Sequence, residues 1–404
     1  MPTTSREPSA AVAPAPKMTP ALTLLFAVAC GAIAANLYYA QPLVALIAPD
    51  VGMPPKVASL VVTLTQIGYG LGLIFLVPIG DIFENRRLIL TSVVITSGAL
   101  VLTAFAPSAL PFLAAALFFG FTSSAVQMLV PLAASMADEE TRGRTVGNVM
   151  SGLTVGVLLA RPLAGFIADL VGWRGVFGVS ALLMIALSLL LARHLPRRQP
   201  TAQHSYGELI RSLWTLFKST PALRRRGFYQ FALFADFALF WTAVPLELAG
   251  GDFRLSQTQI AIFALAGASG ALAAPIGGHL ADRGHSRIAT GLCLAGGSMA
   301  FLLAGFGRDI RSIILMALAA IALDFVAQMN TVIGQREIYL LPSAARNRLN
   351  GLYIAMFFLG GATGSAMSSP LYETGGWRAV VIAGAILPAI AFLYYLTELR
   401  TKRA

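Results

Sequence analysis

Pro275-Ile-Gly-Gly-His-Leu-Ala-Asp-Arg-Gly-His-Ser-Arg287 is a short polar hairpin, rich in Gly and Arg, wedged between two long apolar runs. A weaker copy, Pro78-Ile-Gly-Asp-Ile-Phe-Glu-Asn-Arg-Arg87, stands 201 residues earlier when Asp81 is set over Asp282. Three more pairs keep nearly that offset: Gln127-Met128 with Gln328-Met329, Arg142-Gly-Arg144 with Arg346-Asn-Arg348, and Gly172-Trp-Arg174 with Gly376-Trp-Arg378. Four matches in chain order mark an internal duplication. Parallel halves of this kind are one of the repeat schemes that secondary transporters use.

Composition agrees. Of 404 residues 57% are hydrophobic and 12% charged, about half the charged fraction of soluble proteins. Apolar runs of about 18 to 25 residues recur along the chain, the length needed to cross a hydrocarbon core of about 30 Å. They are continuous rather than alternating, so helices are expected and not barrel strands. Candidate spans are 19–44, 57–79, 88–106, 109–135, 146–168 and 175–192, then 227–247, 257–280, 288–306, 312–335, 348–370 and 378–397. Cys30 and Cys293 lie inside apolar runs and read as buried thiols.

The net charge of +11 could point to nucleic acid, but the basic residues sit in the gaps between spans and set topology instead. With the N-terminus inside, 22 Lys and Arg fall on the cytoplasmic side and 6 on the other, with Arg161 inside a span. Both termini are therefore expected in the cytoplasm of a cell (plasma or inner) membrane. Residues 1–18 read as a disordered cytoplasmic tail. A six-helix bundle follows over 19–192, then a basic cytoplasmic linker at 193–226 with a short surface helix near Gly207–Ser219. A second bundle is expected over 227–397, and a cytoplasmic tail over 398–404.

Two six-span halves, a long basic central loop and Gly278-His-Leu-Ala-Asp282-Arg283…Arg287 resemble the major facilitator superfamily. In the first copy Asp81, Arg86 and Arg87 match, whereas Val77 and Ile82 replace the family's Gly and Arg. Asn36-Leu-Tyr-Tyr-Ala-Gln-Pro42 and the length look most similar to its drug:proton antiporter-type branch. The resemblance implies an all-α membrane fold of twelve helices in two pseudo-twofold-related six-helix bundles. It also implies a cytoplasmic gate at Asp81, Arg86, Arg87, Gly278, Asp282, Arg283 and Arg287, where an Asp faces a helix N-terminus or an Arg. The alternative for the arginines is topology alone.

Three ionisable groups fall within spans: Arg161, Asp236 and Asp324. A charge near the bilayer centre costs at least about 2.5–3.5 kcal/mol, so each needs a cavity, a partner or neutralisation. Removal from water favours the protonated form of a carboxyl, the property a proton carrier requires. Asp324 and Asp236 are thus candidate proton-coupling groups, with a neutral structural acid as the alternative. Gln328, Thr331 and Gln335 extend a polar stripe from Asp324 along one helical face. Arg161 stands where that antiporter branch carries Gly, and is a candidate partner for an Asp or for an anionic substrate group; a scaffold salt bridge is the alternative.

The resemblance also implies that spans one, four, seven and ten line a central cavity. They carry Asn36, Tyr39 and Gln41; Gln127; Asp236, Phe240 and Trp241; and Asp324 and Gln328. Aromatics with a few amides suit an amphipathic organic solute. Gly152…Gly156 and Gly360…Gly364 read as close helix-packing sites. No phosphate-cradling Gly-Lys-Ser/Thr signature and no metal-ligand spacing stand out, so neither cofactor nor metal is expected. The function expected is secondary active transport of a small molecule by a monomer, as proton-coupled efflux. Alternatives are a proton-coupled uptake symporter and, from another class, a membrane-embedded enzyme or non-transporting receptor.

Overall fold

The computed structural model describes residues 18–197, 205–250, 252–341 and 346–400. The expected N-terminal tail, apart from Met18, and most of the C-terminal one lie outside the described residues. Among the described residues the chain is helical throughout and lacks strands.

The first span is the helix Pro20–Ala35, started by Thr19, whose side chain accepts from the Leu22 N–H at 3.2 Å. It breaks after Ala35 into the 3-10 turn Gln41–Leu43 and the short helix Val44–Asp50. The second span is Leu60–Phe75 with 3-10 turns at both ends. Asn85–Ala104 is the third, and Ala109–Ser123 with Val126–Met136 make the fourth. Spans five and six form one continuous run, Arg142–His194, broken at Gly172. Span seven is Pro221–Ala249. Span eight is Gln257–Ala264 and Gly270–Asp282, joined by the 3-10 segment Leu265–Ser269. Spans nine and ten are Ser286–Asp309 and Ile313–Tyr339. Spans eleven and twelve share Arg346–Arg400, broken at Gly376.

Two expected boundaries move. Span seven begins at Pro221, inside the segment expected to be linker, because Pro fits the first helical turn and Ala-Leu-Arg-Arg-Arg are good helix formers. Span twelve runs on to Arg400, since Glu398 is held by Arg226 at 3.1 Å and by Tyr229 at 3.0 Å. Between the halves lies the surface helix Tyr206–Ser219, opened by a Ser205/Glu208 capping box. Leu209 and Leu213 are buried on one face and Trp214 is exposed on the other.

The duplication is visible in the backbone. Gly172 and Gly376, paired in the repeat, both have positive φ (76° and 60°) and turn one span into the next. Gly156 on span five packs on the backbone of Gly31 in span one, and Gly360 on span eleven packs on Phe231 in span seven. A Cβ at either place would run into main chain, so glycine allows both pairs of helices to cross closely.

We call the end carrying Pro20, the surface helix and Arg400 the termini face, and the opposite end the far face. Direct hydrogen bonds between the halves cluster toward the far face. The Asp169 carboxylate on span five accepts from the Thr258 backbone N–H at 2.7 Å and from its hydroxyl, at the start of span eight. Four residues earlier, Gly165 packs on Ala261. At the start of span two the Ser59 N–H donates to the Ser369 hydroxyl at 2.9 Å, and the Thr63 hydroxyl donates to that of Ser365 at 3.2 Å. The halves are thus sealed at the far face.

Two measurements test this layout. An Asp169→Cys/Thr258→Cys pair should cross-link efficiently with a short bifunctional thiol reagent in resting membranes; no cross-link would contradict the seal. Gly172→Ala forces a side chain into a glycine-only conformation costing of order 1–3 kcal/mol, so it should lower the thermal unfolding midpoint in detergent. Gly178→Ala, helical and with open space at its Cβ, should leave that midpoint level or raise it.

Candidate functional site

The site follows from the breaks in spans one and eight. The first break carries Gln41 against span five, where its Oε1 accepts from Arg161 Nε at 2.8 Å. The second brings the backbone of Gly267 to the Arg161–Asp324 layer, where a Cβ would press on Asp324 Oδ2, Arg161 Nη1 and Trp241. Interrupted helices at mid-depth can lie in this way where they line a site, because irregular backbone there is covered by protein.

Arg161 is 3% exposed and walled by aromatic faces. Its guanidinium carbon lies 4.4 Å from the Trp241 ring centre, 4.8 Å from Phe237 and 5.5 Å from Tyr38. Such stacking holds a cation in a low-dielectric place without neutralising it. Trp241 Nε1 donates toward both Asp324 oxygens, at 3.3 and 3.2 Å. Asp324 and Arg161 therefore share one compartment, the carboxylate turned to the indole rather than bound to the guanidinium by a direct ion pair. Arg161 Nη2 and Gln41 Nε2 are buried and have no hydrogen-bond partner.

Other residues singled out from the sequence fall in three places. Gln127 donates to the Tyr69 hydroxyl at 2.9 Å, and the Tyr69 ring lies 4.2 Å from Phe358 of the other half. Gln328 is half-buried one turn past Asp324, toward the termini face. Both therefore sit near the central layer. Asn36 does not turn to it: Ser180 donates to its Oδ1 at 2.6 Å and its amide reaches the Ile33 carbonyl and Met184 sulfur, inside the first bundle. Tyr39 is nearly buried beside Ser180. Phe240 packs edge-on to Phe301 and Trp377, in the body of the second bundle.

Asp236 is fully buried and neither carboxyl oxygen has a partner. It shares a helical face with Leu233 and Phe240, which pack on spans nine and twelve. Phe237 and Trp241, on a neighbouring face, turn to Arg161 instead.

Four of the gate-motif residues, Asp282, Arg287, Arg86 and Arg87, make contacts within their own halves. Asp282 accepts from Arg336 Nε at 2.9 Å, tying span eight to span ten. Arg287 approaches Glu398 at 3.7 Å, where Arg226 is also bound. Arg86 donates to the Ala192 carbonyl at the end of span six, and Arg87 lies 3.2 Å from Glu84. Asp81 ends the 3-10 turn Val77–Asp81, and Arg283 is exposed. Gly278 has open space at its Cβ; its neighbour Gly277 is the glycine that packs closely, on Met329 of span ten.

Sequence reasoning missed Tyr38, Phe237 and Gly267 at the centre. It also missed a network toward the termini face, where Asn330 donates to Gln230 Oε1 and Gln230 to Thr331, both at 2.7 Å. Amides buried within otherwise apolar spans were the available signal for Gln230 and Asn330.

The comparisons with known proteins now have a geometry to attach to. Residues 24–234 and 226–404 match the profile of the Major Facilitator Superfamily. The uncharacterized transporter YgaY of Escherichia coli O157:H7 is 38% identical over 94% of this chain and 96% of its own length. The purine ribonucleoside efflux pump NepI of Escherichia coli O127:H6 is 24% identical over 49% of this chain and 50% of its own. A solved POT family transporter in complex with 5-aminolevulinic acid superposes with a TM-score of 0.74 at 12% identity, over 94% of this chain and 96% of that one. That likeness fixes the fold, twelve helices crossing the membrane in two halves. The chain belongs to the Major Facilitator Superfamily and is a multi-pass membrane transporter, not an enzyme.

Proposed function

We propose that this transporter moves a small amphipathic organic solute by alternating access, coupled to protons through Asp324. The observation that carries the reading is the pairing of Asp324 with Arg161, two buried ionisable groups from different halves in one mid-depth compartment without a direct ion pair. Neither can be left charged and alone in the bilayer interior without a cost of several kcal/mol. A change in the protonation of Asp324 therefore alters what Arg161 must bind. A step of that kind couples two cargoes.

In this reading the Lys and Arg distribution puts both termini in the cytoplasm of the cell membrane, and the far face is the outer side. The Asp169–Thr258 and Ser59–Ser369 contacts are then the outer gate, and the molecule is closed to the outside. The inner gate motif is Asp81, Arg86, Arg87, Gly278, Asp282, Arg283 and Arg287, and four of these rest in within-half contacts such as Asp282–Arg336. It would exchange them for cross-half ones when the outside opens. Gln41, Gln127, Trp241 and Gln328 line the solute's path, and one copy holds the whole site, which supports a working monomer. The place of Asp236 behind the cavity supports the structural role for it over proton carriage.

Two coupling modes follow from the same site. Export in exchange for protons is favoured by the resemblance to the antiporter branch and by the distant likeness to an efflux pump. Co-transport with protons is favoured by the unpartnered donors on Arg161 and Gln41, which suit a group that binds alongside a protonated Asp324. Everted vesicles with an acid lumen separate the modes: under exchange the solute accumulates as protons leave the lumen, whereas under co-transport it leaves with them.

Purified protein in proteoliposomes tests the site across a compound panel. Asp324→Asn should abolish gradient-driven accumulation of every compound that wild type concentrates, while Asp236→Asn keeps it. If Asp324→Asn and Arg161→Ala both match wild type on every transported compound, the site lies elsewhere.

A further inference from the structure

Within the Arg161 compartment the hydrogen-bonding is unbalanced, and the imbalance has a sign. Gln41 spends its carbonyl on Arg161 Nε, which leaves its Nε2 without a partner; Arg161 Nη2 is likewise unmatched. Both orphaned groups are donors, they belong to directly bonded side chains, and both are buried. An amide nitrogen and a guanidinium nitrogen can only donate. Asp324, the acceptor nearest to hand, is oriented by Trp241 Nε1 instead.

We propose that this Arg161–Gln41 corner receives the carboxylate of an organic anion with a flat apolar body, and that a proton enters with it on Asp324. The carboxylate supplies two acceptor oxygens and no donors, the complement of what the corner presents. A neutral alcohol or amide brings a donor of its own or too few acceptors, and an ammonium brings donors only, next to a fixed cation. The faces of Tyr38, Phe237 and Trp241 surround the guanidinium, so the body behind the carboxylate meets aromatic walls, which take flat apolar groups.

The coupling follows from charge. With Asp324 ionised, the compartment holds one positive and one negative group and is neutral. Adding an anion leaves it at −1 in a buried place; adding the anion together with one proton restores neutrality. The groups facing Asp324 are Arg161 from span five and Tyr38 from span one, with Trp241 from span seven and the Gly267 backbone from span eight. Among these, Asp324 is the one that can accept a proton as the anion binds. The proposal rests on the reading of Arg161 and Asp324 as the transport site, and it selects co-transport from the two modes.

The test is equilibrium binding of benzoate, 1-naphthoate and indole-3-acetate to the full-length protein in detergent. Benzamide and benzylamine serve as neutral and cationic counterparts, and Trp fluorescence and calorimetry are the readouts. At least one carboxylate should bind about tenfold or more tighter than its uncharged counterpart, as a charge-assisted site requires. Its affinity should rise as pH falls, by up to about tenfold per unit for one linked proton. In Asp324→Asn that pH dependence should vanish while the carboxylate still binds. Arg161→Gln should lose the preference for the anion, and Arg161→Lys should recover part of it. No preference for any carboxylate, or an affinity that weakens toward acid, would overturn the proposal; both are read on wild type, so a variant that fails to fold does not protect it. Tight, Asp324-dependent binding of benzamide or benzylamine would sink the substrate class and leave the transport site standing. Binding of every probe unchanged by both substitutions would sink the site itself.

Discussion

A guanidinium in the middle of a bilayer has no water to turn to, and the centre of this protein is arranged around that constraint. Arg161 is held piecemeal, with Nη2 still unmatched: one bond to Gln41, three aromatic faces, and a carboxyl across the compartment. The partners come from spans one, seven and ten, with the Gly267 backbone of span eight beside them, and all must reach span five. The breaks at Asn36–Ala40 and Leu265–Ser269 are the local means. They let Gln41 and Gly267 approach where a straight helix would hold side chains apart. The charge thus ties together both halves at one depth.

The duplication supplies the frame and the charge departs from it. Gly172 with Gly376 and Gly156 with Gly360 perform the same turn and the same close crossing in each half. Arg161 has no such twin; the equivalent position falls near Ser365, whose hydroxyl bonds Thr63 across the interface instead. A symmetric scaffold can rock about its central axis with little repacking, because each half is rigid within itself. In the proposed reading, an asymmetric site on that axis gives the rocking a cargo.

How much of this was legible in the sequence depended on the kind of cost involved. The spans, their number and the intramembrane charges were readable, because insertion energy is a property of composition along the chain. Arg161 and Asp324 stand out on those grounds, Gln41 and Trp241 through the family resemblance, and the four meet at the centre. Facing is harder, because a few residues along a helix decide it. Phe237 and Phe240 differ by three positions; one stacks on Arg161 and the other packs on Trp377, inside the second bundle. Asn36, expected to line the cavity, is satisfied instead by Ser180 and Met184, remote in sequence. Gly267 carries no side chain to notice, and its role comes from a helix break that depends on tertiary packing. The start of span seven was hidden by three arginines that read as linker, although Arg226 is bound to Glu398 at the far end of the chain.

The account stands on a carboxyl at Asp324 that gains and loses a proton while enclosed with Arg161. Infrared difference spectroscopy on the purified protein in lipid, with pH stepped across the physiological range, observes that event directly. A protonated-carboxyl band should come and go with pH in wild type and be missing in Asp324→Asn. A difference spectrum that the substitution leaves unchanged would contradict the account.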